Sequence, residues 1–161
     1  MIRLATRSLA FGILVGLVAP LAALAETPPP EPPTYRCQGF DEPLHDGMNI
    51  PRGRVLPLRA KLVLPDGKFG DRDTIKTPPA VSFKFQPESG AEVDKTGTIE
   101  VRDYGKGNHF VWDDEAHWKF DLGTKSLEDA GKYQVRLISG DAAEYKVDPG
   151  CSLTFNLKGG D

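Results

Sequence analysis

The chain is predicted to fold as an all-β antiparallel sandwich. Three observations predict it. Seven short runs alternate apolar with polar residues, turn-forming residues separate them, and one run opens on an acid, a glycine and a tyrosine. Each alternating run can bury one face and wet the other, as a strand of a half-buried sheet does.

The chain opens on a different kind of segment. Arg3 and Arg7 precede an uncharged apolar run from Leu9 to Val18, and Ala23-Leu24-Ala25 places small residues at the two positions a signal peptidase reads. That order predicts a secretory signal peptide over 1–25, cleaved after Ala25. A spanning helix needs about 20 apolar residues, and this run is shorter and meets Pro20 near its end. A lipid anchor would need a cysteine directly after the run, and the first is Cys37. The expectation is therefore a soluble, exported protein, periplasmic or extracellular, with no membrane insertion.

Cleavage leaves 136 residues, enough for one domain with a core. Losing Arg3 and Arg7 leaves 18 Lys and Arg against 23 Asp and Glu, a formal charge of −5. Dispersed, mildly acidic charge argues against nucleic acid and anionic membrane surfaces as partners. The segment 26–33 reads ETPPPEPP, five prolines in eight residues, and predicts a stiff extended linker rather than helix or strand. The domain is then expected over 34–161.

In chain order, the first alternating run is Leu56, Leu58, Ala60, Leu62 and Leu64. Pro57 lies inside it and cannot donate to a ladder, so it marks a strand start, an edge or a bulge. Val81, Phe83 and Phe85 follow, then Ile99 and Val101, then Trp118, Phe120 and Leu122. Tyr133, Val135 and Leu137, then Tyr145 and Val147, then Leu153, Phe155 and Leu157 complete the set. Turn signals stand between them at Pro65-Asp66-Gly67, Pro87-Glu88-Ser89-Gly90, Gly105-Lys106-Gly107-Asn108, Ser139-Gly140-Asp141 and Asp148-Pro149-Gly150. Only Lys125 to Ala130 could make a helical turn.

Asp129, Gly131 and Tyr133 resemble the tyrosine corner of immunoglobulin-like domains, where the phenol bonds back to nearby backbone and pins the loop before the strand. This narrows the prediction to an immunoglobulin-like sandwich of about seven to nine strands. Val135 stands where that motif has a cysteine, so the usual inter-sheet disulfide is absent. Cys37 and Cys151 are the two cysteines, near the ends of the domain, and in an exported chain they are expected to form one disulfide. There is no C-x-x-C to suggest a redox-active pair.

The domain also resembles the PxKF family, immunoglobulin-like modules of secreted bacterial proteins. The resemblance rests on Tyr35-Arg36-Cys37-Gln38-Gly39-Phe40, Pro43-Leu44, Asn49, and Gly53-Arg54-Val55-Leu56-Pro57-Leu58-Arg59. It continues through Asn108-His109-Phe110, Trp118 to Lys125, Gly131-Lys132-Tyr133 and the last run through Leu157. Arg59 stands where the family has Lys, and Ala60 where it has Phe, so another side chain must fill that space. The resemblance implies an exported β-sandwich and implies no reaction.

Few residues could carry chemistry. His109 and His117 flank Asp113, Asp114 and Glu115. A histidine pair with carboxylates between suits Zn or Cu, and a hairpin turn over Trp112 to Ala116 would set the two histidines on adjacent strands. The competing reading is a solvated acidic turn. The stretch from Asp66 to Asp73 is oxygen-rich enough for calcium but lacks the EF-hand spacing, and is expected to be a turn that satisfies its own carboxylates. Phe69, Phe110, Trp112 and Trp118 could line a groove, or fill the core, as aromatics at strand spacing usually do. No Gly-x-Ser-x-Gly or Gly-rich phosphate loop appears.

The expected function is a non-catalytic binding module for a protein or glycan partner, with no cofactor. A small metal-binding protein using His109 and His117 with Asp113 and Asp114 ranks second, and a small secreted enzyme third. Pro57 and the open sheet edges permit either a monomer or an oligomer.

Overall fold

The computed structural model describes residues 30–101, 107–113 and 115–159. The expected signal peptide, residues 26–29 of the linker, and Asp114 lie outside the described residues. Every described strand falls in one unit, Glu31–Asp161.

The chain forms strands β1 (Thr34–Phe40), β2 (Met48–Pro51), β3 (Val55–Val63), β4 (Ala80–Gln86), β5 (Val93–Asp94) and β6 (Glu100–Val101). These are followed by β7 (Val111–Trp112), β8 (Trp118–Gly123), β9 (Gly131–Ile138), β10 (Lys146–Val147) and β11 (Ser152–Lys158). One sheet runs β10-β1-β3-β8-β6, with β7 also on β8, and the other runs β2-β11-β9-β4-β5. The predicted immunoglobulin-like sandwich is what forms. Four of the eleven strands among the described residues are two residues long, and the other seven carry the architecture.

Period-two alternation explains the long strands. Leu56, Leu58, Ala60 and Leu62 of β3 face inward, as do Tyr133, Val135 and Leu137 of β9 and Leu153, Phe155 and Leu157 of β11. Between the sheets the ring of Tyr133 stacks on Phe83 and Phe155, with centroids 5.3 and 5.7 Å apart. Phe110, Trp118 and Phe120 join the same core, so these aromatics fill the interior rather than line a groove. Phe69 alone of the four candidates is largely exposed, at 48 %.

Ala60 pairs with Phe40 on one side and Trp118 on the other, and it is fully buried. Its small side chain is flanked by two large rings, which supply the volume it lacks. The Trp118 indole N–H donates to the Gly70 carbonyl at 2.6 Å. Gly70 admits this approach because it has no Cβ, which would lie 2.6 Å from the Tyr35 ring and 2.7 Å from Ile75.

Pro57 sits opposite Asp121 of β8. Pairing with β1 stops at Ala60, so this half of β3 has a strand on one flank only, and a missing N–H there is tolerated. Of the three roles a proline predicts, a local edge is the one found.

Two features differ from expectation. Lys125 to Ala130 forms turns rather than a helical turn, with Leu127 buried and its N–H on the Thr124 carbonyl. The helical turn among the described residues is a 3-10 turn at Thr96–Thr98. Strand β2 lies outside the alternating runs and is held by parallel pairing to β11.

Between β6 and β8 the chain changes sheets. Val81 donates to the Asn108 carbonyl and Phe110 donates to Pro79, so residues 108–110 lie along β4. Val111 and Trp112 then pair with Lys119 and Trp118 of the opposite sheet. This switch positions the candidate site.

Candidate functional site

The tight turn from β7 to β8 gathers chemistry-bearing side chains. The Asp113 carboxylate oxygen Oδ1 accepts from the backbone N–H of Glu115 at 3.1 Å and of His117 at 2.8 Å. The Asp113 N–H in turn donates to the His117 carbonyl at 2.9 Å. Ala116 closes the turn with φ of 63°, a left-handed conformation that non-glycine residues seldom adopt. Donor atoms from Asp113, Glu115 and His117 consequently lie within 4.8 Å of one another.

His117 is largely buried, its side chain 12 % exposed. Its Nε2 lies 3.2 Å from a carboxylate oxygen of Asp41, in the loop after β1. Its Nδ1 lies 3.8 Å from Asp113 Oδ1 and is a buried atom with no hydrogen-bond partner. The Asp41 N–H donates to the Arg59 carbonyl at 3.0 Å, which holds that loop against β3. The Arg59 guanidinium bonds a Glu115 carboxylate oxygen at 2.7 Å. Three carboxylates thus stand near one imidazole, and a guanidinium binds one of them.

His109 lies elsewhere. It bridges to Ala80 of β4, and its Nδ1 is 3.1 Å from the Pro78 carbonyl. The expected pairing of His109 with His117 does not form, because the chain changes sheets after His109 and before Val111. The turn itself forms where predicted, and of the expected donors it unites Asp113 with His117. Glu115 belongs to the same stretch of sequence and was visible there only as an acid in a turn. Asp41 has no local signal, since only the fold brings it to His117.

The loop from Asp66 to Asp73 uses its carboxylates internally. Asp66 accepts from the Lys68 N–H at 3.1 Å, and Asp71 accepts from the N–H groups of Asp73 and Thr74 and from the Thr74 hydroxyl. The Thr74 hydroxyl, with those backbone amides, holds the Asp71 carboxyl below its usual range. These bonds stabilise the turn.

The tyrosine corner is formed as expected. The Tyr133 hydroxyl donates to the Asp129 carbonyl at 2.8 Å, and burial, reinforced by the Asp129 charge, pushes the phenol up to about 12. Gly131 starts β9 at φ of 149°, with the Phe85 ring where a Cβ would be, 2.8 Å away. Tyr145 makes a second corner. Its hydroxyl donates to Thr77 at 3.1 Å and accepts from the Gly140 N–H at 3.0 Å, and burial raises its phenol too.

Cys37 and Cys151 form the expected disulfide, with Cα atoms 5.3 Å apart. It joins β1 of one sheet to the residue preceding β11 of the other. The hollow beside the tyrosine corner is lined by Lys95, Ser126, Glu128 and Tyr133, and the Tyr133 hydroxyl there is committed to Asp129. Neither it nor two further surface hollows is lined by a histidine. Among the described residues, no helix is long and apolar enough to cross a membrane.

No family model matches the chain, and no curated protein does. Among solved structures it is similar to the RIG-5 IG1 homodimer, at 12 % identity and a TM-score of 0.32, over 79 % of this chain and 96 % of that one. It is also similar to the twitchin kinase region from C. elegans (Fn31-NL-kin-CRD-Ig26), at 12 % identity and a TM-score of 0.26. That likeness covers 78 % of this chain and spans 15 % of the twitchin chain. At these values neither likeness bears on what the chain does.

Proposed function

We propose that the chain is an exported, non-catalytic binding module of the PxKF type that meets a protein or glycan partner through the edges of its sandwich. The observation that carries this is the state of those edges. Among the described residues, strand β2 pairs with β11 on one flank only, and β10 with β1 on one flank only, both in parallel register. Their outer flanks offer backbone groups to which an extended partner can add. The disulfide supports export, since such bonds persist in oxidising compartments. The PxKF reading rests on the motif residues, including Arg59 and Ala60 at the altered positions.

The displaced protonation equilibria support a non-catalytic reading. The carboxyls of Asp66, Asp71, Asp94 and Glu144 are lowered and the phenols of Tyr133 and Tyr145 raised, and each group is engaged in holding a turn or a corner. In an acid–base enzyme, shifted groups are expected to converge on one cleft.

The test uses the oxidised protein as bait in an extract of the source organism's envelope and medium, beside an Asn49→Pro variant of the β2 edge checked for an unchanged melting temperature. A species enriched by the native chain and lost with the variant supports edge binding. Enrichment of nothing, or equal enrichment by both, overturns it.

A further inference from the structure

We propose that the β7–β8 turn is a Zn2+-class divalent-cation site, with His117 Nδ1, Asp113 and Glu115 as ligands and Asp41 holding the other ring nitrogen. This goes beyond the binding-module reading and stands or falls separately from it.

The argument begins at His117. A neutral imidazole carries one N–H donor and one lone-pair acceptor. Asp41 is an acceptor 3.2 Å from Nε2, so the contact is satisfied with the proton on Nε2. Nδ1 then presents its lone pair, and no hydrogen bond reaches it although the atom is buried. Asp113 Oδ1, 3.8 Å away, is an acceptor as well, and Glu115 brings a further carboxylate to the same cluster, whose donor atoms lie within 4.8 Å of one another. A proton placed on Nδ1 instead would find Asp113 Oδ1 at 3.8 Å, beyond hydrogen-bond reach. Buried polar atoms normally have partners, and a cation is the partner that three converging lone-pair donors can share.

The donor chemistry selects the ion. One imidazole nitrogen with carboxylate oxygens suits Zn2+, whereas Ca2+ and Mg2+ prefer oxygen alone. A carboxylate on the non-ligating nitrogen, as Asp41 provides, is the usual support of a metal-binding histidine: it fixes the tautomer and the ring. The turn makes ligands of positions two residues apart, because Asp113 Oδ1 caps two backbone amides and Ala116 reverses the chain. Zn–N and Zn–O bonds of about 2.0–2.2 Å require the donors to draw together. Glu115 has the freedom to do so, being 69 % exposed, and its pairing with Arg59 is an exposed ion pair that is readily exchanged.

The test is titration of the disulfide-bonded protein with Zn2+ alone, read by calorimetry and by 15N resonances of the histidine rings. The expected result is one saturable Zn2+ per chain, a large shift of His117 Nδ1, and an Nε2 that stays protonated. Glu115→Gln and Asp41→Asn should each weaken binding by roughly 10–100-fold. Arg59→Gln should strengthen it by freeing Glu115, a gain that a purely structural turn would not show. His109→Ala should leave it unchanged. Absence of saturable binding, an unmoved His117 Nδ1, or equal loss in His109→Ala would overturn the site. The ring resonances are read on the unmutated chain, so a variant that fails to fold does not blunt the test.

Discussion

The phenol of Tyr133 shows how one atom joins loop to core. Its hydroxyl satisfies the Asp129 carbonyl while its ring sits between Phe83 and Phe155. Tyr133→Phe keeps the ring and removes the bond, and should lower unfolding free energy by about 0.5–1.5 kcal/mol in denaturant titration. The raised phenol carries a pH signature. The folded group holds its proton to about 12, against 10.0 ordinarily, so its contribution is fully present below pH 10.0 and is lost as pH climbs toward 12. Melting temperature should fall across that window, and less steeply in Tyr133→Phe, with Tyr145 accounting for part of the remaining slope. Gly131 is the complementary case, since a side chain there meets both a disfavoured backbone and the Phe85 ring. Gly131→Ala should cost roughly 1–3 kcal/mol by the same titration.

At the scale of elements, two local devices organise the surface. Glu144 accepts from the backbone N–H groups of Lys76 at 2.5 Å and Thr77 at 2.9 Å, tying the loop before β4 to the one before β10. Burial pushes its carboxyl up, but these bonds outweigh burial and hold it below the usual 4.5. Its contribution is therefore present above pH 4.5 and is lost as pH falls through the lower folded value. Glu144→Gln should flatten the acid limb of the stability curve. The second device is the β7–β8 turn. Ala116→Gly relieves its left-handed residue while loosening the unfolded chain, and should raise stability by roughly 1 kcal/mol or less. The site built on this turn was half legible. Asp113, Glu115 and His117 fall within five consecutive positions, so any tight turn must bring them near. His109 was misplaced because alternation reports which face a residue takes and carries no record of a change of sheet. Asp41 was invisible because its nearness to His117 is wholly tertiary.

For the molecule as a whole, periodicity was the legible part. The runs that mark β3, β4, β8, β9 and β11 lie within about two residues of the observed strands, because burial every second residue is a local property of each strand. The edge strand β2 was less legible, since a partner distant in sequence, β11, defines it, whereas the alternation of Tyr145 and Val147 marked β10. The pairing of Cys37 with Cys151 followed from compartment and count alone. Replacing both by Ser should lower unfolding free energy by roughly 2–5 kcal/mol, measured by denaturant titration against the oxidised chain.

The disulfide also orders events in time. Its cysteines are 114 positions apart. A chain that leaves a pore N-terminus first therefore presents Cys37 as a solitary thiol until nearly every strand has followed it. An oxidase acting in that interval can form only a mixed disulfide with Cys37, resolved when Cys151 arrives to attack it. Closure of the bond thus reports that every strand before β11 has emerged.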